Sequence, residues 1–166
     1  MSNDTFISIT GRNQGLISKG CSTRASTGNE SIPNHLDEIR VLTLDHEMLI
    51  SNDVTQSKHE PVVFTKHMDR SSPLILNAIA SGEMVDCEIT YYEETPSGAE
   101  EKLYRITLVD AVITTQDIRH RTIPGNDSGT QERLTIQYRQ ITCVHHLEHG
   151  AESVTYVNTD VGASEG

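Results

Sequence analysis

"EMVDCEITYYEETPSGAEEKLYRITLVDAVITTQDI", residues 83–118, is the stretch whose reading decides the fold. In its first part Val85, Cys87, Ile89 and Tyr91 fall on one side of an extended chain, with Asp86, Glu88 and Thr90 on the other. A period of two marks a strand with one covered face. "PSGAEE" (96–101) supplies turn chemistry, and alternation resumes over 102–118. Two alternating runs joined by a short polar turn form an antiparallel hairpin. The returning run carries two apolar sets: Tyr104, Ile106, Leu108 and Val112 against Val109, Ala111 and Ile113. Asp110 interrupts an apolar face and reads as a buried carboxylate that caps or bridges a neighbouring loop rather than a catalytic acid.

Working outward, "TFISIT" (5–10) is a short strand, and 11–35 is a long loop rich in Gly, Ser and Asn that Leu16 and Ile17 can pin to the core. Loops of that length usually have a job. "LDEIRVLTLDHEMLIS" (36–51) is apolar on both alternating sets, which predicts one strand covered on both faces. Residues 52–60 are a polar excursion, and "PVVFTKHM" (61–68) returns as a strand. A helix is predicted over about 72–82: Ser71 or Ser72 to cap it, Pro73 in the first turn, Gly82 to close it, and Leu74, Ile75, Ala78 and Ile79 as its stripe. Residues 121–132 are turn-rich. The run 133–149 changes phase at Arg139–Gln140, as a bulge would make it, and 153–158 completes a hairpin.

This pattern predicts a mainly β protein: a tight antiparallel barrel or sandwich with one short flanking helix over an open edge or end. One domain is expected over 1–158, followed by a flexible tail, 159–166. One helix cannot cover the second apolar faces of 36–51 and 102–118. A subunit interface involving Val109, Ala111 and Ile113 is therefore expected.

Charge and composition exclude several functions. With 13 basic against 24 acidic residues the net charge is −11, and the basic residues are scattered, which argues against nucleic acid. No segment is apolar enough to span a membrane, and "MSNDTFISIT" lacks the features of a signal peptide. Cys21, Cys87 and Cys143, odd in number and widely spaced, suggest a cytosolic folding compartment, and Cys87 and Cys143, in step with apolar neighbours, read as small buried hydrophobes. "HHLEH" (145–149) is the one metal-like cluster, with His145, His146, Glu148 and His149. On a strand His145 and His149 stand about 13 Å apart, too far for one ion, so solvated strand-end histidines are expected. Asp45-His46-Glu47 puts His46 on the opposite strand face from both acids, which is no relay. No catalytic residue, cofactor or metal is expected.

"GLISKGCST" (15–23), "DEIRVLTLDHEM" (37–48), "PVVFTKHMDRSSPLILNAI" (61–79), "EKLYRITLVDAVI" (101–113) and "ERLTIQYRQIT" (132–142) together resemble the haemolysin-coregulated protein (Hcp) family, the tube subunit of the bacterial type VI secretion system. The resemblance covers about Ile7 to Val157. It implies a β-barrel with a short helix, closed into hexameric rings that stack into a tube inside a contractile sheath, behind a spike tip. It further implies a protein that folds in the bacterial cytoplasm, leaves through its own apparatus without a signal peptide, and carries or chaperones small effectors in the ring lumen. An extended loop of the family reaches an adjacent subunit. That role falls on 52–60, which makes Ser51, Asn52, Asp53, Val54, Thr55 and Gln56 interface candidates. Loops 11–35, 52–60 and 121–132 are candidates for ring faces, as are Asn77 and Ser81 for the lumen or a ring face. The competing readings are a phage-type tail-tube protein and a metal-binding hydrolase using His145 and His149.

Overall fold

The structure is a computed structural model that describes residues 3–28, 31–50, 57–122, 124, 129–146 and 152–159. Its frame is the predicted hairpin. Strands β8 (Met84–Glu94) and β9 (Glu100–His120) pair antiparallel from Met84↔Val112 to Glu94↔Glu100. The turn between them closes with Thr95 N–H donating to Ala99 O at 2.7 Å and Gly98 N–H to Thr95 O at 2.8 Å.

Six further strands build on this pair. They are β1 (Asp4–Gly11), β3 (Ile39–Val41) and β4 (Thr43–Asp45), then β10 (Thr130–Gln137), β11 (Gln140–His146) and β12 (Glu152–Thr159). With β2 (Gly15–Leu16) and β7 (Val62–His67) they form a 10-stranded sheet among the described residues, in the order β2-β1-β8-β9-β10-β7-β4. β3 also pairs with β1, and β11 pairs with both β9 and β12. The sheet curls until both edges reach one segment, since 39–41 pairs with β1 and 43–45 with β7. The hydrogen-bond ladder is not closed continuously, so the architecture is barrel-like. Thr159 belongs to β12, one residue into the expected tail, and 160–166 lies outside the described residues.

The core is the concave face: Ile7 and Ile9, Val85 and Ile89, Leu108 and Ile113, Leu134 and Ile136, Val62 and Phe64. Helix α2 (Ser72–Ser81) presses against β9 and adds Ile75 and Ala78 to that core, with Leu74 and Ile79 partly buried beside them. Gly82, at φ 65°, ends the helix in the left-handed conformation that favours glycine. At Gly11 a Cβ would stand 1.8 Å from Oε2 of the buried Glu83, so the Glu83 side chain would have to shift.

The helix start departs from expectation. Neither Ser71 nor Ser72 caps the first turn with its hydroxyl. Ser71 donates both N–H and Oγ–H to Asp69 Oδ1, at 2.8 and 2.5 Å, and Ser72 Oγ accepts from Asp69 N–H at 3.0 Å. A dry ion cluster fixes this corner. On the concave face the apolar row Ile136–Leu134 continues as Glu132, and Val62–Phe64 continues as Lys66. Both side chains are fully buried. The ammonium of Lys66 donates to Asp69 Oδ1 (2.9 Å), His67 O (3.0 Å) and Ser72 Oγ (3.3 Å). Glu132 Oε2 lies 2.7 Å from it as a contact of charge rather than an aligned hydrogen bond. Gln116 Nε2 ties the cluster to the helix by donating to Glu132 Oε1 (3.3 Å) and Ser72 O (3.1 Å).

Two further expectations are corrected. Residues 36–51 are not one strand. They break into β3, β4 and β5 (Met48–Ile50) because the segment changes partners at Leu42, whose N–H donates to Thr65 O at 2.8 Å. Nor does 102–118 carry two full apolar faces. Cys87 pairs with Leu108 and Val85 with Ala111, so β9 carries one extra residue there. Asp110, at φ 52°, is the bulge. Before it Ile106 and Leu108 point inward, and after it Ala111 and Ile113 do. Ile106, Leu108, Ala111 and Ile113 thus belong to one core, while Val109 and Val112 stay half-buried outside it, so burial by a sister copy is not needed for Ala111 and Ile113.

The long segment 11–35 is not structureless. It holds β2, the helical turn α1 (Arg24–Thr27) and a 3-10 turn at Pro33–His35. Ile17 is buried as expected, whereas Leu16 is exposed. The segment covers the convex face: the ring of His35 stacks on Phe6, centroids 3.9 Å apart, beside Tyr92 at 4.7 Å. Its Nδ1 lies 3.2 Å from Glu38 Oε1, and its Nε2 meets Glu100.

Candidate functional site

One element stands off the barrel. Among the described residues β5 and β6 (Ser57–His59) pair with each other alone, Met48↔His59 to Ile50↔Ser57, as a separate two-stranded ribbon. This ribbon leaves Met48 40% and Ile50 69% exposed. Exposed apolar side chains beside each other on a projecting arm suit contact with another surface.

The base of the ribbon is fastened by three side chains. His46 Nε2 lies 2.7 Å and His59 Nδ1 2.9 Å from the Tyr138 hydroxyl. Tyr138 is buried in the break between β10 and β11, where Arg139 N–H donates to Val109 O at 3.3 Å, facing the Asp110 bulge. The phase change read at 139–140 is therefore a real break, one residue earlier. Burial pushes the His46 imidazole below its ordinary value, and the charge on His59 adds to this. Burial lowers His59 as well. Beside the cluster opens a cleft of about 370 Å³, lined by His59, Glu60, Met84, Asp110, Tyr138 and Arg139 among others. Asp110 is not buried. It bridges to Arg12 on the loop after β1, and Arg12 also meets Asp86 at 3.2 Å.

The expected site residues scatter. Ser51, Asn52, Asp53, Val54, Thr55 and Gln56 lie outside the described residues. Val109 is half-buried beside the bulge, but Ala111 and Ile113 sit in the chain's own core, where no partner can touch them. Asn77 and Ser81 are exposed on α2, with Ser81 Oγ donating to Asn77 O at 2.9 Å. In "HHLEH", His145 and His146 end strand β11, while Glu148 and His149 lie outside the described residues. Among the described residues no group of three His, Cys, Asp or Glu is placed to hold a metal ion. The three cysteines are free thiols. Burial pushes Cys21 up to about 11, and Cys87 up too, consistent with inert core positions. Among the described residues no helix is long and apolar enough to cross a membrane.

Sequence reasoning missed the fastening of the ribbon. His46 was read against its neighbours Asp45 and Glu47, whereas its partner Tyr138 is 92 positions away. Two histidines flanking a polar excursion were the only local signal.

Comparison with known proteins places the chain. The family described as type VI secretion system effector, Hcp, matches residues 6–145. The major exported protein of Pseudomonas aeruginosa is 38% identical over 157 residues, covering 89% of this chain and 91% of that one. Secreted protein Hcp3 from the same organism superposes with a TM-score of 0.81 at 32% identity, covering 95% of this chain and 98% of that one. A crystal structure of an Hcp protein gives a TM-score of 0.85 at 28% identity, with coverage of 95% and 98%. Extent, identity and shape agree, and the chain belongs to the Hcp family of type VI secretion.

Proposed function

We propose that this chain is a structural subunit of the type VI secretion tube. It closes into stacked hexameric rings, is exported with the tube, and carries or chaperones small effectors in the lumen. The carrying observation is family membership across residues 6–145, joined to 38% identity with a relative named for being exported. In this reading the contractile sheath and the spike tip are its partners. The protein folds in the bacterial cytoplasm and leaves through the secretion apparatus itself. No nucleic-acid contact, membrane insertion or catalytic step is assigned.

The ring contact falls to the β5–β6 ribbon and 51–56, not to the concave residues of β9. Met48 and Ile50 lose exposed apolar area when such an arm meets a neighbouring subunit. A ring formed this way uses heterologous contacts, one patch of a subunit against a different patch of the next. The exposed side of α2, with Asn77 and Ser81, is assigned to the lumen or a ring face.

Light scattering and negative-stain imaging of the purified chain at neutral pH test this reading. Annular particles with the mass of six chains are expected. A monomer at every concentration tried overturns it. Ile50→Asp is expected to shift the population toward free chains without unfolding them, because its target is exposed in the single chain.

A further inference from the structure

Helix α2 lies on the surface, and its outer side carries no charge. Charged residues make up 22% of the chain, yet none of the ten in Ser72–Ser81 is charged. A surface helix ordinarily turns charged positions to water. The exposed residues of α2 fall on two lines, since positions three, four and seven apart share a face. Pro73, Leu76 and Ala80 make an apolar ridge, with Leu76 59% exposed, and Asn77 and Ser81 make a polar line beside it. An uncharged, apolar strip suits the centre of a contact, where charged side chains are depleted.

We propose, on the ring reading above, that this ridge is the seat of the β5–β6 ribbon of an adjacent copy, with Met48 and Ile50 against Leu76. Met48 and Ile50 lie two apart on a strand and so share one face of the ribbon. Lys58 stands opposite Leu49 on the other face, clear of the contact. Within a single chain neither surface covers the other, since Ile50 and Leu76 are both exposed. Bringing the two together removes apolar area from water on both sides.

Symmetry makes a second copy the occupant. A contact of arm on helix joins unlike patches, so each chain offers its ribbon on one side and its ridge on the other, and a closed ring leaves no ribbon and no ridge uncovered. Contact between like patches pairs two ribbons or two ridges and leaves the other kind exposed. The remaining exposed large apolar side chains, Leu16, Leu36, Met68 and Ile118, stand on four different segments. Leu76 alone of the five has exposed apolar neighbours on its own helix face, Pro73 and Ala80. The line of Asn77 and Ser81 stays free for the lumen or a ring face.

Disulfide trapping tests the seat. Ile50→Cys/Leu76→Cys is made together with Cys143→Ser, which removes the one native cysteine that is not buried. The full chain is assembled, oxidised and separated under denaturing, non-reducing conditions. A ladder of linked chains is expected, absent from Ile50→Cys or Leu76→Cys alone and collapsed by reductant. Rings without such a ladder overturn the seat and leave the ring reading standing. An unaltered protein that stays monomeric overturns both. Links of equal yield in either single variant show like patches meeting, and a faster-migrating single chain shows the ribbon on its own helix; each overturns the seat. Should the double variant form no rings, Leu76→Asp decides, because its target is exposed in the single chain. Burying a lone carboxylate in the contact is expected to cut the share of chains in rings roughly tenfold with the fold intact. Rings as abundant as those of the unaltered protein overturn the seat.

Discussion

Two clusters of charge shape this fold, and they sit in opposite surroundings. Lys66, Asp69 and Glu132 meet under the start of α2 with side chains 0%, 6% and 0% exposed. Arg12, Asp86 and Asp110 meet over the bulge of β9 with side chains 49%, 43% and 38% exposed. Each cluster pairs one cation with two carboxylates and joins distant segments. Their energetics differ because water replaces a lost partner at the bulge and cannot do so under the helix. The buried cluster holds the corner together. The exposed one lies over the bulge, where the backbone geometry of Asp110 decides which residues of β9 face inward.

The sharpest way to break the comparison is to remove the dry cation. Lys66→Met leaves Glu132 and Asp69 facing each other without compensation. The expected loss is about 3–5 kcal/mol in denaturant unfolding. Lys66→Met/Glu132→Leu removes the uncompensated charge on β10 and is expected to regain most of that loss, since Asp69 keeps both bonds from Ser71. A double variant as unstable as the single one shows that packing, not charge, governs the corner.

This corner also shows how far the sequence could be read. The strand 61–68, Pro73 and the apolar stripe were legible because period two and period 3.6 are local properties. Lys66 was not, since a lysine in an alternating strand looks like any solvent-facing position. Its partner Glu132 is distant in sequence and meets it only through the pairing of β7 and β10. Asp110 reads as a buried carboxylate that bridges a loop; it does bridge to Arg12, but it is not buried. What escaped was the bulge, because a residue at positive φ changes the parity of everything after it. The surplus face was a real feature of the sequence assigned to the wrong cause. The family, by contrast, was readable from "FTKHMDRSSPLILNAI", whose residues the buried cluster and α2 now account for.

The bulge is tested next, with a smaller effect. Asp110→Val puts a β-branched side chain at φ 52° and removes the carboxylate that Arg12 meets. Strain of this kind costs on the order of 1–3 kcal/mol. Asp110→Gly relaxes the backbone while losing the same carboxylate, and is expected to lie close to the unaltered protein. Thermal unfolding of the pair separates backbone from charge. Equal losses in both variants show that the side-chain bridge, rather than the dihedral, holds the bulge.

The smallest effect is expected from Arg12→Ala, the counterpart of Lys66→Met in the wet cluster. Asp86 and Asp110 then face each other without a cation, as Glu132 and Asp69 do in the other variant. Here both carboxylates keep water, and Asp86 Oδ1 still accepts the Asp110 N–H at 3.0 Å. The loss is expected to stay under about 1 kcal/mol and to shrink as salt rises, because exposed charges are screened. Lys66→Met is expected to respond little to salt, since ions cannot enter a fully buried pair. If Arg12→Ala costs as much as Lys66→Met, or ignores salt, exposure is not what separates the two clusters. The bulge would then be an energetic anchor of the barrel, and the exposed bridge would count among the contacts that hold the fold.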